Sequence, residues 1–125
     1  MATPVPSNTE LEILHVLWDR GPSTVRQVHD VMLKDREIGY TTVLKIMQVM
    51  ATKKLVSRDE TDRSHVYLPA VEEKSVKRRL VADLLDRAFE GSAAGLVMHA
   101  LSGKKASREE LDEIRKLLDE QERRK

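Results

Sequence analysis

The densest chemistry in this 125-residue sequence lies between Gly39 and Pro69. Thr41, Thr42, Lys45 and Gln48 fall on one side of a helix whose other side carries Val43, Ile46, Met47 and Met50. Two hydroxyls, an ammonium and a carboxamide form a set of hydrogen-bonding groups suited to anionic oxygens and base edges. Thr41 and Thr42 suit a phosphate or base contact where free N–H groups open a helix. Lys45 can reach a phosphate or a guanine edge, and Gln48 can pair bidentately with adenine. Taken singly, these residues could also be a helix cap (Thr41) or a solvated face (Lys45, Gln48). Leu44 and Val49 also lie off the apolar face. For Leu44, a contact with thymine methyl groups and a place at the core margin stand level; for Val49 the core margin is ahead.

Downstream, a polar turn from Asp59 to Ser64 separates two short β-type runs, the second being HVYLP, His65 to Pro69. Arg58 and Arg63 flank this turn. An arginine there contacts phosphate or enters a minor groove, and Arg63 at the tip is the better placed. The alternative is a hairpin with charge pairs such as Arg58 with Asp59 or Asp62. Lys53 and Lys54 close the preceding helix, where their charge serves its dipole.

Enzymatic chemistry finds no such set of residues. There is no cysteine, hence no disulfide, thiolate metal site or Cys nucleophile. No Gly-rich phosphate loop or Gly-x-Ser-x-Gly elbow occurs. His15 falls among core positions, and His29, His65 and His99 are too scattered for metal-ligand spacing. The sequence therefore predicts no enzyme, no cofactor and no metal. Gly91-x-x-x-Gly95 reads as a loop or a tight helix contact.

The elements that must position the polar face start with two capping boxes. Ser7 with Glu10 opens a helix carrying Leu11, Leu14, Leu17 and Trp18, which Gly21-Pro22 ends. Thr24 with Gln27 opens a second, striped by Val25, Val28, Val31 and Met32. The run from Lys34 to Gly39 is a turn, and the third helix begins near Thr41. Three short helices followed by a hairpin make a winged helix-turn-helix topology.

After Pro69, Glu72 and Glu73 open a helix with Val76, Leu80, Leu84 and Ala88 at intervals of four, broken at Gly91. Leu96, Val97, Ala100 and Leu101 form a shorter segment, and Ser107-x-x-Glu110 reads as a third capping box for a last helix. Leu111, Ile114, Leu117 and Leu118 stripe that helix. No second core covers these stripes, and each buried leucine is worth roughly 1.5–3 kcal/mol. A second copy of the chain is the expected cover, through Leu80, Leu84, Val97, Leu101, Leu111, Ile114 and Leu118. The fold class is thus mainly α with a small β-hairpin wing. The expected domains are a winged-helix DNA-binding domain over residues 1–70 and a helical dimerisation domain over residues 71–125.

Composition agrees with a mostly helical chain: few glycines and prolines, and 3% aromatic residues, so Leu, Val, Ile and Met must fill the core. The net charge of +1 mildly disfavours a nucleic-acid binder. Residues 38–70, however, carry five Lys and Arg against three Asp and Glu, a local +2. No apolar run spans a membrane and the start lacks a secretory pattern, which predicts a cytoplasmic protein.

The run from Leu11 to Glu120 resembles the penicillinase-repressor family of winged-helix transcription regulators, the BlaI/MecI group. The carrying segments are LEILHVLWDRGPSTVRQV (Leu11 to Val28), YTTVLKIMQVMATKKLV (Tyr40 to Val56), HVYLP, GLVMHALSG (Gly95 to Gly103) and EELDEIRKLLDE (Glu109 to Glu120). The resemblance implies a homodimeric repressor seated on a palindromic operator in double-stranded DNA. It also implies, from the best-known members, a membrane sensor-protease that answers β-lactams and leads to a cut between Asn and Phe. Here His99-Ala100 stands at that place and is the candidate cleavage site, with the Asn-Phe pair itself replaced. Copper-responsive relatives use a cysteine cluster that this chain lacks. The competing expectation is a winged-helix module that binds protein rather than DNA.

Overall fold

The computed structural model describes residues 4–103 and 105–124. Helix α1 (Asn8–Arg20) begins where Ser7 Oγ accepts the Glu10 N–H at 3.3 Å and the Glu10 carboxylate accepts the Ser7 N–H at 2.9 Å. Helix α2 (Val25–Met32) opens on the same reciprocal pair between Thr24 and Gln27. Each box satisfies two otherwise orphaned donors at a helix start. Gly21, at φ +89°, ends α1 and returns its N–H to the Leu17 carbonyl. A side chain is strained at that φ, so glycine suits the stop.

Helix α3 (Tyr40–Thr52) starts without a side-chain cap, since Gly39 holds the N-cap position. Thr41 therefore lies inside the helix, and the capping alternative for it falls away. Strands β1 (Val56–Asp59) and β2 (Val66–Pro69) pair antiparallel, with Arg58 opposite Tyr67. The hairpin is stitched back to the turn between α1 and α2. Ser23 donates its N–H to Tyr67 O at 3.0 Å, and Tyr67 returns one to Ser23 O at 2.8 Å.

One core joins these elements: Ile13, Leu14 and Leu17 of α1, Val25, Val28 and Met32 of α2, Val43, Met47 and Met50 of α3, then Leu55, Val56 and Tyr67. Two expectations change here. His15 is exposed beside the edge of Trp18, because the buried stripe of α1 runs through Ile13, Leu14 and Leu17. Leu44 packs at the core margin, whereas Val49 is 45% exposed, which reverses the order expected for the two. Gln48 and Thr52 share the outer side of α3 with Val49, and all three face away from Met47 and Met50.

Helices α4 (Glu73–Ala88), α5 (Ala93–Gly103) and α6 (Arg108–Arg123) follow. The chain forms two compact units, Met1–Ala82 and Asp83–Lys125. The first turns of α4 go with the first unit: the Trp18 indole donates to Val71 O at 3.1 Å, and Val76 is fully buried. The turn after α4 uses Gly91 at φ +82°. Gly95 lies in α5, where an added Cβ would stand 3.2 Å from Ser92 Oγ, so Gly91-x-x-x-Gly95 is a turn plus a tight local contact. Ser107 Oγ caps α6 through the Glu110 N–H at 3.1 Å. The reciprocal carboxylate bond is absent there, and the third box forms only by half.

Candidate nucleic-acid interface

The outer side of α3 forms a polar crest in which Thr41, Thr42, Lys45 and Gln48 are all exposed. A hollow flanks each side of it. One, of about 410 Å³, lies toward the start of α1 and is lined by Ser7, Thr9, Thr42, Lys45, Ile46 and Val49, with Glu10 at its inner edge. The other, of about 440 Å³, lies toward the wing and includes Thr24, Arg26, Tyr40, Gln48, Arg58, Arg63 and His65. Gln48 is thus grouped with both wing arginines, while Thr42 and Lys45 belong to the opposite flank. Thr41 lies on the crest between them.

The wing side carries three arginines and no carboxylate in its lining. Arg63 stands in the loop between the strands and enters no salt bridge among the described residues. Arg58 is paired at 2.5 Å with Glu60, not with Asp59 or Asp62. Its guanidinium is raised further above its ordinary value by a hydrogen bond with the facing Tyr67 hydroxyl, and then by the Glu60 charge. Asp59 turns inward to the loop, accepting from the Thr61 N–H at 3.0 Å and from the Thr61 hydroxyl. Those two bonds hold the Asp59 carboxyl below its ordinary range.

Lys53 does more than serve the dipole of α3. Its ammonium lies 2.8 Å from the carboxylate of Glu10, which is nearly buried. Arg26, Tyr40, Ser64 and His65 join the wing-side hollow, though the sequence had not marked them as contacts with DNA. For Arg26 a signal was present: it is the second residue of a helix opened by the Thr24 box, on the side opposite Val25 and Val28.

The apolar residues of the last three helices are largely open. Leu84, Val97, Leu101 and Leu118 are exposed, and Leu80, Leu111 and Ile114 are half-buried. His99 and Ala100 lie within α5, both exposed. The His99 ring meets the edge of Phe89 and sits 3.1 Å from the Gly95 carbonyl through Nδ1. Among the described residues, no group of three or more His, Asp or Glu side chains could hold a metal ion, and no helix is long and apolar enough to cross a membrane.

The profile of the penicillinase repressor family matches residues 6–120. The transcriptional regulator BlaI of Mycobacterium tuberculosis is 34% identical over 115 residues, covering 90% of this chain and 82% of that protein. The penicillinase repressor of Bacillus licheniformis is 24% identical over 122 residues, covering 98% and 95%. The methicillin resistance regulatory protein MecI of Staphylococcus aureus is 18% identical over 113 residues, covering 90% and 92%. These relatives are named as regulators and repressors, and none is named as an enzyme. A three-helix core with a hairpin wing, matched over nearly its full length, makes this chain a member of the penicillinase repressor family, a family of transcriptional repressors and not of enzymes.

Proposed function

We propose that the chain represses transcription as a homodimer on a palindromic operator. Helix α3 enters the major groove, with Thr41, Thr42, Lys45 and Gln48 at phosphates and base edges. The wing follows the backbone through Arg58 and Arg63. The observation that carries this reading is the polar crest of α3 standing between two hollows, one of them lined by arginines and free of carboxylates. A groove-reading helix needs that relief, because the walls of the duplex must pass on both sides of it.

Pairing is assigned to residues 71–125. The exposed Leu84, Val97, Leu101 and Leu118 support it, since open apolar stripes are stabilised by a cover. Two paired copies would present their α3 helices to half-sites about one helical turn apart, ~34–36 Å. With a net charge of only +1, binding by one copy would be weak, and pairing supplies the rest. Release then comes from weakening the dimer or its fit. The family's sensor-protease route would have to open the His99–Ala100 bond from within α5.

An electrophoretic shift on the DNA upstream of the chain's own gene tests the reading. A salt-sensitive, sequence-dependent complex that K45E with R63E abolishes is expected. Absence of any such complex from a folded dimer would leave the protein-binding module, which the near-neutral charge favours.

A further inference from the structure

Arg26 is the second residue of α2, and its guanidinium lies 5.3 Å from the centre of the Tyr40 ring. That distance is within the range of a cation–π contact. Tyr40, the first residue of α3, is itself held edge-on by His29 at 5.8 Å and 85°. His29 Nε2 lies 2.7 Å from the Ile38 carbonyl, which fixes the imidazole against the turn between α2 and α3. A chain of contacts therefore runs from the backbone at Ile38 to the guanidinium of Arg26.

We propose that Arg26 clamps a phosphate of the duplex backbone and that Tyr40 is its positioning residue, an inference that rests on α3 lying in the major groove. Three observations carry it. Arg26 enters no salt bridge among the described residues, unlike Arg36, Arg58, Arg87 and Arg115. It lines the wing-side hollow with Arg58 and Arg63, where no carboxylate competes for it. It also lies on α2, the helix that crosses the backbone when its successor reads the groove. A guanidinium carries its donors in its plane, so contact with a ring leaves the N–H fork available to phosphate oxygens. Holding the side chain beforehand reduces the rotamer entropy lost on binding.

A phosphate contact is indifferent to sequence, so the test needs no operator. Full-length wild type, R26Q, R26K, Y40L and Y40F would be titrated with a mixed-sequence duplex of about 30 base pairs from about 50 to about 200 mM salt. R26Q should lower the slope of log K against log salt by about 1 for each protomer bound and weaken binding roughly tenfold. R26K should keep the slope, because the charge remains, but bind more weakly because the fork is lost. Y40L should weaken binding several-fold and Y40F should restore it, since the ring and not the hydroxyl faces Arg26. Wild-type slope and affinity in a folded R26Q, with the wild type itself binding, would overturn the clamp alone. Y40L binding like wild type would overturn the positioning role. A wild type with no salt-sensitive binding would overturn the major-groove reading as well.

Discussion

The ammonium of Lys53, at the end of α3, lies 2.8 Å from the carboxylate of Glu10, at the start of α1. The same carboxylate accepts the Ser7 N–H of the capping box, so one buried group serves a helix start and a helix-to-helix tie. The tie fixes the end of α3 against α1, and with it the direction of the crest. Because the Lys53 side chain is half exposed, the pair is worth less than a buried one. K53M should nevertheless destabilise by about 1–2 kcal/mol, since it strips a nearly buried carboxylate of its strongest donor. Urea unfolding at pH 7 measures this, and an unchanged midpoint would refute it.

The same group sets a pH dependence. Burial alone would raise the Glu10 carboxyl, but the Lys53 hydrogen bond, the Ser7 N–H and the Lys53 charge together hold it below its ordinary value of 4.5. A carboxyl lowered in the folded state adds stability above its unfolded pKa and loses it as pH falls through the folded one. The stability gap between wild type and E10Q should therefore be full at pH 7 and shrink below about pH 4.5. Paired melts across that range check it. A gap that widened on acidification would contradict the direction.

Gln48 and Arg63 line the same hollow but should fail differently. Q48A removes a candidate base contact and should cost ~1–3 kcal/mol on the preferred sequence while sparing others. R63Q should weaken all sequences alike and flatten the salt dependence. Binding of both variants to the operator and to a scrambled duplex separates the two roles. Equal losses on both duplexes for Q48A would remove it from sequence reading.

The wing loop is braced locally, by Asp59 on the N–H and hydroxyl of Thr61. Both residues are exposed, so D59A should change global stability by less than about 0.5 kcal/mol. It should still weaken duplex binding several-fold, because a looser loop pays more entropy to seat Arg63. Thermal melts and titrations on the same preparation decide it. Full affinity in D59A would mean that the loop needs no bracing.

Leu101 and Leu118 are both open to solvent, so aspartate at each should leave the helices intact. In a dimer paired through these stripes, the double change puts charge into the interface and should yield monomers. Sedimentation reads the mass and circular dichroism the helicity. A double variant that remains dimeric would move the interface elsewhere.

Much of the fold was legible from local patterns. Ser7 with Glu10 and Thr24 with Gln27 lie three residues apart, and Gly21 stops its own helix, so each feature is complete within one turn of chain. The wing was legible for the same reason, as two short runs around a polar turn. The exposed positions of α3 followed from the 3.6-residue period, which placed Thr41, Lys45 and Gln48 outward without reference to any partner.

What spacing could not reveal is who meets whom. Period alone leaves the margins of a helix undecided; only the packed core shows Leu44 at its margin and Val49 open. Glu10 and Lys53 are 43 residues apart, and Trp18 meets the carbonyl of Val71 across 53. The Ser23–Tyr67 bridge and the Arg26–Tyr40 cation–π contact likewise join separate elements. The sequence by itself determined the helices, their ends and the polar crest, because those depend on neighbours within a turn. The tertiary structure decided which arginines gather beside that crest, because such contacts exist only once the core has brought distant segments together.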